Sequence, residues 1–165
     1  MSLLPVMTLA GRTKLLASQS GGPAVVLSSV TLGSAARDPT GVEVAVTTPI
    51  CTGPIATSFL DAAAGRLDLG VMIDGATAGL VADHIVREVG FFDGAGVLIF
   101  YWSTLTSLGS ITPVTAYALN LSVTLSQADA EVIQIIDQGP PWGALFEARL
   151  QTSERDTWRN FFLSF

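Results

Sequence analysis

Cysteine, histidine and charge are all scarce in this chain. It has one cysteine, Cys51, and one histidine, His84, among 165 residues. An internal disulfide needs two cysteines, and a structural zinc site needs about four nitrogen or sulfur ligands, so the sequence excludes both. Charged residues make up 13% of the sequence, against roughly 25% in soluble globular domains. A lone copy of the chain would therefore have a surface poor in charge.

The few charges are unevenly placed. Residues 15–36 and 94–128 contain no Asp, Glu, Lys or Arg, and we expect a partner to cover much of the surface that they form. The formal net charge is -6, the pI is about 4.5, and the eight basic residues are scattered. Because no basic patch is available to neutralise phosphates, the sequence argues against nucleic-acid binding.

Long apolar runs are missing as well. The mean hydropathy is +0.53, yet Gly, Pro, Ser and Thr interrupt every apolar run well before the ~20 residues that a membrane-spanning helix needs. The N-terminus has no basic stretch followed by an apolar core, so we predict no signal peptide, no membrane partner and synthesis in a cytoplasm. The length suits one domain with its own hydrophobic core, plus a tail.

The first predicted elements are a helix and a strand. Residues 9–18 (LAGRTKLLAS) are helix-forming and follow Thr8, which can serve as the N-cap. Three leucines fall near one face of this helix: Leu9, Leu15 and Leu16. Glycine and proline then end the helix, and the β-branched run at 24–32 predicts a strand.

Two further features are predicted before residue 75. Residues 41–47 (GVEVAVT) alternate, with Val42, Val44 and Val46 on one face, and this predicts a short strand. Residues 55–60 and 67–73 are two apolar runs separated by a short segment rich in Asp, Ala and Gly, which predicts a hairpin.

The strongest local signal is a second hairpin. Residues 84–92 (HIVREVGFF) and 97–104 (VLIFYWST) have strand character and are separated by Asp-Gly-Ala-Gly. Two more strands are predicted at 115–125 and 131–136. The predicted fold class is therefore α+β: a mainly antiparallel, sandwich-like β-sheet with one short N-terminal helix and a C-terminal helical tail.

The C-terminal segment differs in composition from the rest. Residues 138–141 interrupt the strands, and Trp142 to Phe165 form the longest charge-rich segment, which predicts a helix. We therefore divide the chain into a domain over 1–137 and a helical connector over 138–165. Apolar side chains of the connector predict a partner-binding surface: Trp142, Phe146, Leu150, Trp158, Phe161, Phe162 and Phe165. The alternative is a helix that folds back onto its own sheet.

The residues that most often carry catalysis do not form a recognisable pattern. A catalytic serine or cysteine needs a base within reach, but His84 is the only histidine and no G-x-S-x-G motif is present. Cys51 has no basic neighbour in the sequence, and we interpret it as a small buried apolar residue. We predict no enzyme activity, no cofactor, and no catalytic, cofactor-binding or metal-binding residue.

Two other patterns have structural interpretations. Four aspartates offer paired carboxylates of the kind that glycosidases use, but most occupy turn positions: Asp61, Asp68, Asp74 and Asp93. Arg87 and Glu88 are adjacent and so point to opposite faces of a strand. We interpret them as ordinary solvated or edge residues, the alternative being a face that meets a partner.

A family resemblance enters at the second hairpin. The segment REVGFFDGAGVLIFYWS, residues 87–103, resembles the R-E-[LV]-G-[LF]-[FY]-D-x-x-G-x-L-I signature of the N-terminal domain of phage tail-collar fibre proteins. The opening VMTLAGRTKLLAS (6–18) is similar to that family's strand and helix, and GRLDLGVMID (65–74) and 118–137 are similar to its later strands. The similar segments occur in the family's order and span most of residues 6–137.

The resemblance implies a structural virion protein of the phage tail, synthesised in the cytoplasm of a bacterial host. It would attach tail fibres to the baseplate or tail, commonly as a trimer. Members of the family typically continue into a long fibre shaft, so this chain would be a short fibre or fibre adaptor. Its partners would be a baseplate or tail protein and a further fibre protein, with residues 138–165 as the connector.

Two other functions remain open at this stage. The first is a receptor- or carbohydrate-binding module at a tail tip, in which Tyr101, Trp102 or Trp142 stack on sugars. Tyr101 and Trp102 point to opposite faces of one strand, so at least one is expected in the core. The second is a tail-associated hydrolase, for which single replacements of His84, Asp74 and Asp93 would give a specific loss of rate.

Overall fold

A computed structural model describes residues 5–61, 63–125 and 132–136. Within these residues the chain forms one helix and ten strands. In chain order they are β1 (Val6–Met7), α1 (Leu9–Gln19), β2 (Val25–Gly33), β3 (Pro49–Asp61), β4 (Arg66–Asp74), β5 (His84–Val86), β6 (Glu88–Asp93), β7 (Leu98–Ser103), β8 (Gly109–Ile111), β9 (Ala116–Thr124) and β10 (Ile133–Ile135).

Eight of these strands form one curled sheet. Its order is β1-β7-β6-β2-β3-β4-β9, and β10 pairs in parallel with the first residues of β2. The other pairs in this sheet are antiparallel, and β5 and β8 form a separate two-stranded sheet. The predicted class, a mainly antiparallel β fold with one short N-terminal helix, is confirmed. The predicted helix over 142–165 lies outside the described residues.

Helix α1 begins where the sequence predicts. The Thr8 hydroxyl accepts a hydrogen bond from the Gly11 amide at 2.9 Å, which is the N-cap interaction. The predicted apolar face is only partly right, since Leu15 is buried but Leu9 and Leu16 are exposed. The helix packs on β7 through Gly11, where an added Cβ would lie 2.5 Å from the Ile99 carbonyl oxygen. Its buried residues are Gly11, Leu15 and Ser18, and Leu9 and Leu16 are not among them.

Both predicted hairpins form. The first is β3–β4, and the second is β6–β7, with Phe91 opposite Phe100. The strand predicted at 84–92 is divided, however, because the Arg87 amide donates to the Gly33 carbonyl while β5 leaves to pair with β8. The strands predicted at 115–125 and 131–136 are β9 and β10.

The strand predicted at 41–47 is wrong. These residues lie in an irregular segment, residues 34–48, which we call the cover loop. Val42 and Val44 are 67% and 77% exposed, whereas Glu43 and Val46 are buried. The Glu43 carboxylate accepts hydrogen bonds from the amides of Thr40 and Gly41, and these bonds hold the chain in a turn instead of an extended strand.

The sheet is covered on both faces around β2, β6 and β7. The apolar core packs on the inner face and includes Leu27, Val30, Leu32, Leu67, Leu69, Val71, Val89, Phe91, Phe100, Trp102, Leu121 and Val123. The cover loop lies on the other face. There Gly90 has no side chain, and an added Cβ would lie 2.8 Å from the Val46 side chain. The loop can therefore pack directly on the sheet.

Candidate functional site

The motif hairpin contains a buried carboxylate. The Glu88 side chain is fully buried in β6, a strand flanked by β7 and β2. It accepts hydrogen bonds from the Tyr101 hydroxyl at 2.5 Å and from the amides of Thr47, Thr48 and Ala35 at 3.1–3.2 Å. Glu88 therefore fastens the cover loop to the sheet, and its interpretation as a solvated or edge residue is wrong.

Burial raises the pKa of Glu88, but the hydrogen bonds from Tyr101 and the Thr47 and Thr48 amides outweigh it, and the net pKa is lowered. The Glu88 carboxylate is thus held in its charged form. Burial and the bond to Glu88 raise the pKa of Tyr101 to about 12. Arg37, on the cover loop, lies over the Tyr101 ring with its Cζ atom 5.8 Å from the ring centroid.

A second buried glutamate holds the cover loop from within. The Glu43 carboxylate accepts from Arg37 at 2.7 Å, from the Thr40 amide and hydroxyl at 2.8 Å, and from the Gly41 amide at 2.7 Å. Burial raises the pKa of Glu43, but the bonds from Thr40 and Gly41 lower it to about 2. The two glutamates and their donors form a structural centre, in which both carboxylates are buried.

Three of the four candidate aspartates hold turns. Asp61 accepts from the Ala64 amide, and Asp74 accepts from the amide and hydroxyl of Thr77. Asp93 accepts from the amides of Ala95 and Val97 in the motif turn and forms an ion pair with Lys14 of α1. The prediction of turn roles is confirmed for these three, and each accepts from different donors.

Cys51 and His84 lie on separate strands. His84 begins β5, where it is opposite Ile111, and it is half-buried. Cys51 is half-buried in β3 opposite Leu32, and burial raises the pKa of its thiol, which favours the neutral form. Within the described ranges, no group of three or more His, Cys, Asp or Glu side chains is placed to hold a metal ion.

A different surface has the shape of a binding site. An open groove of about 390 Å³ lies on the outward face of β3, β4 and β9. The strand registers align outward residues in three rows: Thr57, Gly70 and Asn120; Phe59, Asp68 and Ser122; and Asp61, Arg66 and Thr124. We call this surface the outer groove. Its floor is Gly70, where an added Cβ would collide with the Thr57 hydroxyl.

One aromatic ring and a small polar network line the outer groove. Phe59 is 59% exposed, which is unusual for a large aromatic residue on a sheet face. Beside it, Asp68 accepts a hydrogen bond from the Ser122 hydroxyl at 2.6 Å and forms an ion pair with Arg66, whose Nε atom lies 3.0 Å from Asp68 Oδ2. The exposed Asn120 side chain stands across Gly70 from Thr57. The groove therefore offers hydrogen-bond donors, acceptors and an apolar surface together.

Of the aromatic residues predicted to stack on sugars, Tyr101 and Trp102 are both buried, so they are not available to a ligand. Trp142 lies outside the described residues, as do the other predicted connector contacts, Phe146, Leu150, Trp158, Phe161, Phe162 and Phe165. Phe59 and Asn120 were not identified from the sequence. The alternation along β3, β4 and β9 marks them as outward, but their proximity depends on strand register, which no local pattern gives.

The region around β5 and β8 exposes several large apolar side chains. Val81, in the loop before β5, is 94% exposed, and Ile85, on β5, is 45% exposed. Leu105 and Val114, in the loops before and after β8, are 62% and 88% exposed. We call these four residues the apolar end. Hydrogen bonds tie the loops together, for example from the Gly75 amide to the Thr115 carbonyl and from Leu108 to Val86.

Within the described part of the chain, no helix has the length and apolar character that a membrane span requires. Comparison with models of protein families, with curated proteins and with solved structures gives no match for this chain.

Proposed function

We propose that this chain is a structural component of a phage tail, which attaches tail fibres to the baseplate or tail as a short fibre or fibre adaptor. The observation that carries the proposal is the use of the REVGFFDGAG motif in the fold. Glu88 anchors the cover loop, Gly90 leaves space for Val46, and Asp93 closes the turn and pairs with Lys14. The motif that resembles the tail-collar family therefore supplies a rigid scaffold.

The distribution of exposed residues also supports a role in an assembly. Leu105 and Val114 of the apolar end lie within the uncharged residues 94–128 and are 62% and 88% exposed, and Val81 and Ile85 lie nearby in the sequence, before that range. Exposed large apolar side chains are typical of surfaces that other proteins cover. We propose two partners for this chain: a baseplate or tail protein and a further fibre protein. We also propose that three copies of the chain assemble together.

The sequence beyond the described residues suits the same role. Residues 142–165 combine helix-forming residues with six aromatic residues, from Trp142 to Phe165. Aromatic residues are enriched among the few side chains that dominate protein interfaces. We propose this segment as the connector to the next fibre protein.

Immunogold electron microscopy tests the proposal. Antibodies raised against the full chain are applied to particles released from the source culture, and gold is expected where the fibres join the tail. The same antibodies absorbed with purified protein are the control, and they should leave the particles unlabelled. Labelling of the capsid alone, or unlabelled tails in particles that carry fibres, would contradict the proposal.

A further inference from the structure

The outer groove has features of a ligand site that the attachment role does not use. Its centre is the row of Phe59, Asp68 and Ser122, in which an exposed ring stands beside a carboxylate that accepts a hydrogen bond from Ser122 and forms an ion pair with Arg66. We propose that the outer groove binds a neutral saccharide, with one sugar ring packed on Phe59 and its hydroxyl groups bonded to the polar side chains around it.

The polar groups of the groove match a hydroxyl-rich ligand. Each sugar hydroxyl both donates and accepts, so it needs partners of both kinds. Arg66 supplies donors, Asp68 supplies acceptors, and Asn120 supplies one acceptor and two donors from a single planar group. The C–H face of a sugar ring is apolar and suits an exposed aromatic side chain such as Phe59. All these groups line one groove of about 390 Å³.

Charge and strand pairing disfavour other ligand classes. Arg66 and Asp68 form an ion pair, so the groove has no excess positive charge with which to attract an anion. A peptide that adds a strand needs a free sheet edge, but β4, in the middle of the groove, is paired with β3 on one side and β9 on the other. A flat apolar partner would find one large exposed apolar side chain, Phe59.

The site is held in place before the ligand binds. The Ser122 hydroxyl on β9 donates a hydrogen bond to the Asp68 carboxylate on β4, and this bond between two strands orients the carboxylate, which also forms an ion pair with Arg66. Gly70 keeps the floor low between Thr57 and Asn120. Preorganisation favours binding, but the groove is open and covers only part of a ligand. We therefore expect a dissociation constant on the order of 1 mM for one short oligosaccharide.

Nuclear magnetic resonance titration of the full chain tests this inference. Maltohexaose, cellohexaose and chitohexaose are added separately at millimolar concentration, and the shifts of backbone amides are followed. At least one of them is expected to shift amides of β3, β4 and β9 around the groove. Phe59→Ala should weaken that binding about tenfold, a loss typical of an interface residue that dominates affinity. Phe59→Trp should bind as well as the parent chain.

Two further variants separate the groove from general surface effects. Asn120→Ala should weaken binding by several-fold, because it removes the amide that both donates and accepts. Leu105→Ala is the matched control: Leu105 is 62% exposed, close to the 59% of Phe59, but it belongs to the apolar end. That variant should bind like the parent chain, and circular dichroism checks that each variant is folded.

Three outcomes would overturn the inference. The first is that none of the three saccharides shifts the groove amides. The second is that Phe59→Ala and Asn120→Ala bind as tightly as the parent chain. The third is that a sulfated oligosaccharide binds the groove more tightly than every neutral one. Because gold labelling of the particles does not depend on sugar binding, each proposal can fail without the other.

Discussion

Two tyrosines of this fold are both buried, but their hydroxyl groups have opposite surroundings. The Tyr101 hydroxyl donates to the buried Glu88 carboxylate, whereas the Tyr117 hydroxyl has no hydrogen-bond partner within the described residues. Burial raises the pKa of each to about 12, with the bond to Glu88 as a second cause for Tyr101. The same loss of one oxygen atom should therefore affect stability very differently at the two positions.

We expect Tyr101→Phe to lower the free energy of unfolding by about 2 kcal/mol, since it removes a donor from a buried carboxylate. Tyr117→Phe is the matched control and should leave the free energy of unfolding unchanged within about 0.5 kcal/mol, or raise it, because it removes an unpaired buried hydroxyl. Urea denaturation followed by tryptophan fluorescence measures both. Equal losses for the two variants would show that the Glu88 bond is not what makes Tyr101 important.

Glu43 gives the stability of the protein a defined dependence on pH. Its pKa is about 2 in the folded chain, against the usual 4.5. A lowered pKa stabilises the folded state above the unfolded-state pKa, and this contribution is lost as the pH falls through the folded-state pKa. The difference corresponds to about 3 kcal/mol. The loss is therefore expected between about pH 4.5 and pH 2.

We expect Glu43→Gln to be less stable than the parent chain by about 2 kcal/mol at pH 7, because it removes an acceptor and the ion pair with Arg37. This difference in the free energy of unfolding between the variant and the parent chain should become smaller as the pH falls from about 4.5 to about 2. Urea midpoints at a series of pH values measure it. Asp83→Asn, at an exposed carboxylate, is the control, and a gap for Glu43→Gln that stays constant with pH would contradict the assignment.

Among the elements, α1 depends on close contact with β7. A Cβ at Gly11 would lie 2.5 Å from the Ile99 carbonyl oxygen and 2.9 Å from the Ile99 Cα. The Thr8 hydroxyl adds a bond to the Leu98 carbonyl at 2.5 Å, and Lys14 pairs with Asp93 in the motif turn. The helix is thus fixed to the β6–β7 hairpin at its beginning and in its middle.

A glycine-to-alanine change inside a helix normally stabilises it by about 1 kcal/mol. At Gly11 we expect the opposite sign, a loss of about 2 kcal/mol, because the added methyl group pushes α1 away from β7. Gly94→Ala is the control, since no atom lies within 4 Å of an added Cβ there. Thermal and urea denaturation measure both variants, and a more stable Gly11→Ala protein would show that the contact can open at little cost.

Local elements were the predictable part of this fold. The cap at Thr8 and the turn at Asp93 depend on residues three or four positions away, so a short stretch of sequence is enough to predict them. The cover loop was predicted wrongly because the alternation of Val42, Val44 and Val46 does not show that Glu43 accepts from the nearby Thr40 and Gly41 amides. The burial of Glu88 could not be predicted because its donors Thr47 and Thr48 lie about 40 positions away. The parallel pairing of β10 with β2 and the rows of the outer groove likewise arise from contacts between distant segments.

At the scale of the whole molecule, the described fold leaves two different surfaces open. The outer groove is polar apart from Phe59, whereas the apolar end carries Val81, Ile85, Leu105 and Val114. Neither includes the connector, residues 138–165, on which the predicted trimer depends. Assembly through the connector and assembly through the apolar end therefore make different predictions for substituted chains.

We expect the full chain to have a mass in solution of three times the 17.2 kDa of one chain, measured by size exclusion with light scattering. Replacing Trp158, Phe161 and Phe162 together by serine should give a monomer, because aromatic side chains contribute most of the affinity of such interfaces. Leu105→Ser with Val114→Ser is the matched control at the apolar end, and it should remain a trimer. If that control is a monomer and the connector variant is a trimer, the interface between copies lies at the apolar end. A monomeric full chain would refute self-assembly altogether and leave the connector to bind a different protein.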